Sequence, residues 1–416
     1  MPNSSLGILI LALAALSAPA VHAQRPWFLD GAKIYTAPDA TPISGTVVIA
    51  GTKIQSVSPR SDPRATTLTN AQQCQGGVLV AGFQNSHVHF TSEEFRDPRS
   101  QTTAALELAL ARMLTRYGYT TVFDVASDRD NTLTLRNRIE NGDVRGPRIL
   151  TVGLPLFPPD GLPIYIAHLP GELLDKLPQP SSVDAALAAL RENFAAGTDG
   201  SKLFIATPQG DNTIKRMAAD IAHAAVNETH RRGKLVVAHP TDMQGVREAL
   251  AARVDILAHP PLGADAPWPE LLMQEVRDAN LWMIPTLKLL EYELAKQDVP
   301  AEIAERLLND SVTEFGKFAA MGGHVLFGTD VGYMTDYDPA REYELLTSAG
   351  LTPMQILASL TTTPAARWNE QDRRGRIATG MDADIVVLEA DPADSPRNFA
   401  AIRCTIRSGE VIYAKQ

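Results

Sequence analysis

Cysteine is nearly absent from this chain: two residues, Cys74 and Cys404, among 416. So few exclude a disulfide-dense scaffold and a zinc site built from cysteines. Positive charge is also short. Lys and Arg number 38 against 48 Asp and Glu, a net charge of −10. That excludes nucleic acid, or an anionic membrane surface, as the main partner. A bilayer-spanning helix needs about 20 apolar residues, and the apolar run at residues 6–16 stops well short of that. Hydrophobic residues make up 44% and charged residues 21%, a balance that excludes wholesale disorder. The length allows two or three domains, or one large barrel with an appendage.

The first residues, MPNSSLGILILALAALSAPAVHAQ, read as a secretory signal peptide. A short apolar stretch is followed by small residues and a V-x-A ending at Ala23, so residues 1–23 are expected to be removed. The segment before the apolar stretch lacks Lys and Arg, which is atypical. The mature chain is expected to be secreted or periplasmic, with no membrane association after cleavage. Export makes a Cys74–Cys404 disulfide permissible, and nothing in the sequence brings the two together.

Residues 24–80 are turn-rich and alternate with period two, as in GTVVIAG and KIQSVSP, and the tail 366–416 has the same texture in ADIVVLEAD and CTIRSGEVIYA. Such alternation marks half-buried strands, so both ends are expected to build one small β-sandwich domain. The middle, 81–365, alternates short apolar runs with amphipathic helical stretches. Eight runs stand out: VLVAGFQNSHVHF, TTVFDVA, RILTVGL, SKLFIAT, KLVVAHP, VDILAHP, LWMIPTL and HVLFGTDV. Continuous apolar strands alternating with helices imply an α/β fold with a helix-covered parallel sheet. Eight such units fit a (β/α)8 TIM-like barrel. An open doubly wound sheet competes, but the Gly-rich dinucleotide turn that would favour it is missing.

In such a barrel, chemistry gathers at the C-terminal ends of the strands. His87 and His89 end the first run, Lys202 lies in the fourth, His239 and His259 end the fifth and sixth, and Asp330 ends the eighth. Side chains alternate along a strand, so His87 and His89 face one side and can share an ion. Taken singly, each has a plain structural alternative. Two histidines two apart are often a polar surface pair, and a lone His after a strand is often satisfied by neighbours. Asp330 could cap a helix. Lys202 could pair with Asp330 or another barrel carboxylate, or reach the strand edge. Its chemical alternative is a deprotonated amine carboxylated by CO2, an anion able to bridge two cations. A buried aspartate beside a cation can ligate it and accept a proton from water. His223 and His230 sit in a helical pattern and His324 begins the eighth run, places that carry no chemistry.

The ordered set of HVH, GTDGSKLF, two single histidines and GTD resembles the metal-dependent amidohydrolase superfamily. It is most similar to the imidazolonepropionase-like and Xaa-Pro-dipeptidase-like members. The likeness runs over nearly the whole mature chain, through YGYTTVFDVA, AGLTPMQILASLTTTPAARW and GRIATGMDADIVVLEADP. The resemblance implies two divalent cations, zinc by the family's habit, sharing a bridging hydroxide. His87, His89 and Asp330 would hold one ion and His239 and His259 the other, with N6-carboxylated Lys202 between them and Asp330 shuttling the proton. The implied activity is hydrolysis of an amide bond of peptide or N-acyl amino acid type in a small-molecule substrate. The alternatives are a mononuclear cyclic-amide hydrolase or deaminase of the imidazolonepropionase type, and a non-catalytic metal-binding protein. Two features depart from the pattern. Asn85 stands where relatives carry Asp, and the loop GLPLFPPDGLPIYIAHLPGE lacks their His-containing turn, leaving Tyr165 or His168 to contact substrate. Lys288, with Arg341 as a second choice, is the candidate anchor for a substrate carboxylate. Self-association as a homo-oligomer is left open.

Overall fold

The computed structural model describes residues 26–59, 69–70, 72–167, 169, 171–210, 213–261 and 267–416. The expected signal peptide and His168 lie outside them. The chain is a mixed α/β fold. Its strands, in order, are β1 (Trp27–Ile34), β2 (Ile43–Ala50), β3 (Lys53–Pro59), β4 (Val78–Ala81), β5 (Phe83–Val88), β6 (Tyr119–Asp124), β7 (Arg148–Thr151), β8 (Gly200–Phe204), β9 (Leu235–His239), β10 (Ile256–Ala258), β11 (Trp282–Ile284), β12 (Ile385–Leu388), β13 (Ile402–Arg407) and β14 (Glu410–Ala414).

Strands from both ends form one eight-stranded sheet in the order β14-β13-β12-β4-β1-β2-β3, with the short Thr69–Asn70 strand beside β1. The sequence reading of one small β domain built from both ends is matched in part: strands of both ends hydrogen-bond along a single path of this sheet. Its N-terminal and C-terminal halves share one apolar core, in which Leu29, Val47 and Ile49 meet Ile385, Val387 and Ile406. Cys74 and Cys404 form a disulfide across this core, with their Cα atoms 5.6 Å apart.

The run VLVAGFQNSHVHF, which reads as one strand, is two. VLVA joins the terminal sheet as β4, pairing antiparallel with β12, and β5 begins beyond Gly82. The middle of the chain then holds two parallel arcs, β5-β6-β7 and β11-β10-β9-β8. Every residue of β5, β6 and β8 is buried, as strands covered on both faces must be. Parallel bridges join the arcs to their neighbours: Leu156 with Leu203 on one side, Met283 with Val325 on the other. Phe123, Val237, Ile256 and Ile284, drawn from both arcs, pack in one cluster with Leu326 of the eighth run.

The eighth run, HVLFGTDV, does not form a regular strand. Its backbone bonds one neighbour and then the other: Leu326 N–H donates to the Met283 carbonyl, Ser86 N–H to that of Phe327, and Asp330 N–H to that of His87. Two things interrupt it. A Cβ on Gly328 would lie 2.8 Å from the His87 Cβ, so only glycine lets the segment approach β5. Asp330 itself sits at φ 61°, which ends the extended run.

Capping residues mark where several of the helices between these strands begin. Asp128 caps the helix Arg129–Glu140, Ser182 the helix Val183–Ala196, and Asp242 the helix Met243–Ala252. Each side-chain oxygen accepts one of the otherwise unpaired first-turn N–H groups. The stretch IKRMAADIAHAAVNETH reads as one helix, but only Ala219–His230 is helical. Ile214–Arg216 instead pairs antiparallel with Ala206–Pro208 as a small hairpin.

Candidate metal centre

β5 delivers two imidazoles to one point: the Nε2 atoms of His87 and His89 are 3.2 Å apart. Asp330 reaches the same point from the eighth segment. Its Oδ1 lies 3.0 Å from His89 Nε2, and its Oδ2 lies 3.5 Å from His87 Nε2 and 3.6 Å from His259 Nε2. The His259 ring is 4.9 Å from that of His87 and 4.9 Å from that of His239. Lys202 and Phe204 share a face of β8, with the ammonium 5.5 Å from the Phe204 ring, and that ring stacks on His239 at 5.0 Å. The structure thus brings His87, His89, Lys202, His239, His259 and Asp330 around one volume at the strand ends.

The donor set fits a cation, and the surrounding hydrogen bonds explain why. His89 Nδ1 lies 2.7 Å from the Ala126 carbonyl, which can only accept, so the ring proton sits there and Nε2 presents a lone pair. Thr286 performs the same service for His259. Its hydroxyl donates to the Pro285 carbonyl at 2.8 Å and therefore accepts from His259 Nδ1 at 2.5 Å. A second lone pair then faces inward. His87, His89 and Asp330 offer ligand atoms all within 4.8 Å of one another, yet Asp330 Oδ1 and His87 Nδ1 are buried without a hydrogen bond. Lone pairs and a carboxylate converging in a buried space repel one another unless a cation lies between them. Nitrogen and oxygen donors of this kind suit zinc and related ions.

Electrostatics agree. Burial pushes His239 down to about 3, helped by the Lys202 charge, and holds His87 and His259 below the usual imidazole range. All three therefore stay neutral, as ligands must. His89 differs: burial opposes its protonation, but the Asp330 charge overrides burial and raises it. A proton and a cation compete for that lone pair. Lys202 is 2% exposed, and no carboxylate lies within ion-pair distance of it among the described residues. Burial brings its amine down to about 7, although Asp330 acts in the opposite direction. The backbone is also constrained here. His259, Thr286 and Asp330 have φ values of 73°, 44° and 61°, conformations that non-glycine residues adopt only when their surroundings impose them.

Asn85 accepts the His87 N–H at 3.1 Å and donates from Nδ2 to Thr329 Oγ1 at 2.7 Å. It ties β5 to the turn carrying Asp330, donating through one atom of the amide and accepting through the other. Sequence reasoning missed three supporting residues. Asp124 ends the buried run of β6 and accepts from Ser127 and Thr151 behind His89; the logic that singled out Asp330 applies to it equally. Thr286 carried no pattern. Glu342 is 1% exposed, and its carboxylate accepts from the N–H groups of Leu287 and Lys288 at 3.0 and 2.7 Å. It thereby holds the start of the helix Leu287–Lys296, immediately after Thr286. Partners that fix a ligand's tautomer are typically worth about 10- to 100-fold in metal affinity. Thr286→Val should therefore lose zinc to a competing chelator at roughly that much lower chelator concentration, with the far-ultraviolet circular dichroism unchanged.

The ammonium of Lys288, the candidate anchor for a substrate carboxylate, is already engaged within the chain. It donates to the carbonyls of Asp336 and Asp338 at 3.2 and 2.7 Å and pairs with the Asp336 carboxylate at 2.7 Å. A cation so fully engaged closes a loop. Arg341 is likewise engaged with Glu291 and Glu344. The Tyr165 ring lies 6.3 Å from that of His239. His230 pairs with Asp255 and His324 stacks on Trp282, both away from the centre.

The sequence profile of the Amidohydrolase family matches residues 78–412. No curated protein matches the chain. Among solved structures, a Xaa-Pro dipeptidase with bound methionine in the active site superposes with a TM-score of 0.77 at 20% identity, over 94% of this chain and 100% of that one. The A. niger ochratoxinase gives 0.76 at 19%, over 94% and 96%. A molinate hydrolase gives 0.75 at 19%, over 94% and 95%. At identities this low the likeness is one of fold.

Proposed function

Because the chain belongs to the amidohydrolase family, a family of hydrolases acting on carbon–nitrogen bonds, we propose that it cleaves an amide of peptide or N-acyl amino acid type at a centre for two zinc ions. The observation that carries this reading is the convergence of His87, His89, His259 and Asp330 with their lone pairs turned inward. His87, His89 and Asp330 would hold one ion and His239 and His259 the other, with the carbamate of Lys202 between them. When bound, the ions would acidify a water and polarise the scissile carbonyl.

The chain's own residues do the rest. The Asp330 carboxylate takes the proton of the attacking water and returns it to the leaving nitrogen. Ala126 and Thr286 keep His89 and His259 in the tautomers that point Nε2 inward. The amine of Lys202, kept near neutrality by burial, attacks the carbon of CO2 and releases a proton to give the carbamate anion. The likeness to a Xaa-Pro dipeptidase supports the choice of a peptide-type amide.

In this reading the arcs and the eighth segment close a (β/α)8 barrel over 81–365, with 24–80 and 366–416 as the terminal domain. The protein is exported, with cleavage after Ala23. The Cys74–Cys404 disulfide supports an oxidising compartment, and no helix among the described residues is long and apolar enough to cross a membrane. The single-ion reading keeps one observation in its favour, the tight His87–His89–Asp330 group. Reconstituting metal-free protein with zinc and assaying amides decides between them. Activity that saturates at two equivalents is expected. Saturation at one favours the single-ion centre, and no hydrolysis of any amide, ester or lactone by loaded protein overturns the hydrolase assignment.

A further inference from the structure

Three tyrosines lead outward from the metal centre in an unbroken line of ring contacts. Tyr165 stands 6.3 Å from His239, Tyr333 stands 5.7 Å from Tyr165, and Tyr292 stands 6.4 Å from Tyr333. They come from three segments: the 3-10 turn Ile164–Ile166, the loop after Asp330, and the helix Leu287–Lys296. All three are only partly buried. The contacts between Tyr165 and Tyr333 and between Tyr333 and Tyr292 are edge-to-face, one of the two arrangements that aromatic rings favour with one another.

The polar groups of this wall are already used. Tyr333 Oη donates to Glu293 Oε1 at 2.6 Å and accepts from Lys296 Nζ at 3.1 Å, while Lys296 lies 3.6 Å from the same carboxylate. Glu293 and Lys296 therefore neutralise each other around the Tyr333 hydroxyl, and the Lys296 ammonium also lies 5.0 Å from the centre of the Tyr333 ring. Tyr165 has no hydrogen-bond partner for its hydroxyl among the described residues. Were the row only a structural prop, its rings would be packed away like Tyr119 and Tyr343, which are both 0% exposed.

We propose that Tyr165 and Tyr333, backed by Tyr292, form a specificity wall that selects a substrate carrying an uncharged aromatic ring close to the scissile amide. The inference rests on the hydrolase reading above and narrows its substrate class. Stacking against a fixed tyrosine is a low-entropy contact, since these side chains lose few torsions on binding.

Two measurements on the zinc-loaded protein test it. In the first, kcat and KM are compared for N-methylacetamide, N-benzylacetamide and N-methyl-2-phenylacetamide, which are alike in charge and differ in the ring and its side of the amide. At least one aromatic amide should exceed N-methylacetamide about 100-fold in kcat/KM. Tyr165→Ala and Tyr333→Ala should each cut that preference about tenfold, mainly through KM, and Tyr333→Phe should keep it. In the second, ligand-observed NMR follows benzyl alcohol, which cannot be hydrolysed. Its affinity should fall at least threefold in both alanine variants and hold in Tyr333→Phe. If hydrolysis proceeds without aromatic preference, or benzyl alcohol binds all variants equally, the wall is not a specificity element. If benzyl alcohol binding depends on the tyrosines and the loaded protein hydrolyses no amide, ester or lactone, the wall stands and the hydrolase reading falls.

Discussion

Asp330→Asn should leave a folded protein that has lost most of its turnover, by about 100- to 10,000-fold in kcat, the usual worth of a positioned acid–base group. The substitution suits the site. Asn tolerates the left-handed backbone that residue 330 adopts at φ 61°, so any loss is not the cost of straining the turn. The amide has nearly the carboxylate's shape and keeps one oxygen for a ligand role. What it cannot do is accept a proton. Asp330 is the one carboxylate among the grouped residues, with His87, His89 and His259 all within 3.6 Å. No other side chain in the group has both the position and the basicity to replace it while the imidazoles hold ions. The check is steady-state kinetics on preparations of measured zinc content, with near-ultraviolet circular dichroism confirming the packing. Turnover equal to that of the parent protein would remove Asp330 from the proton path.

This expectation was within reach of the sequence, because it follows from where buried runs stop. The runs ending in HVH, AHP, AHP and GTD are apolar enough to be covered on both faces, and a polar group at such an end has few comfortable explanations. The structure places those side chains together. Other features were not legible, for identifiable reasons. Apolarity says that VLVAGF is buried but not in which sheet, so the split at Gly82 between β4 and β5 could not be seen. The eighth run has a strand's composition, yet the close approach at Gly328 and the turn at Asp330 leave it bonding alternately to two neighbours. Periodicity does not reveal partners either. Lys288 looked free because nothing in the sequence brings residues 336–338 back over it, and Cys74 finds Cys404 only because the terminal sheet joins the two ends of the chain. Thr286 and Glu342 each act through a pair of hydrogen bonds, and no residue pattern encodes those.

Lys202 carries the second large expectation. An ammonium buried to this degree without a carboxylate is costly, and its environment holds the amine near neutrality, at about 7. A neutral amine among imidazoles can take up CO2 and become the anion that two cations would share. Lys202→Ala should therefore reduce bound zinc by half or more after reconstitution, and turnover with it. Acetate or propionate should restore part of both, because a small carboxylate can occupy the space vacated by the side chain. Reconstitution of the parent protein should in turn improve with bicarbonate, while that of the variant should not. A full two-zinc complement in Lys202→Ala would eliminate the bridging role.

The metal-free protein supplies an independent check with a definite sign. The folded-state value of the lysine lies below its ordinary 10.5, so folding favours the neutral amine. The group's contribution to stability is then present at high pH and is lost as pH falls from about 10.5 through about 7. Lys202→Met, which keeps the volume and removes the charge, should make the metal-free protein more stable than the parent at pH 6. That advantage should shrink steadily towards pH 10. Thermal unfolding of both proteins across that range reads the difference directly, and a gap independent of pH would mean that the lysine keeps its charge in the fold through a partner.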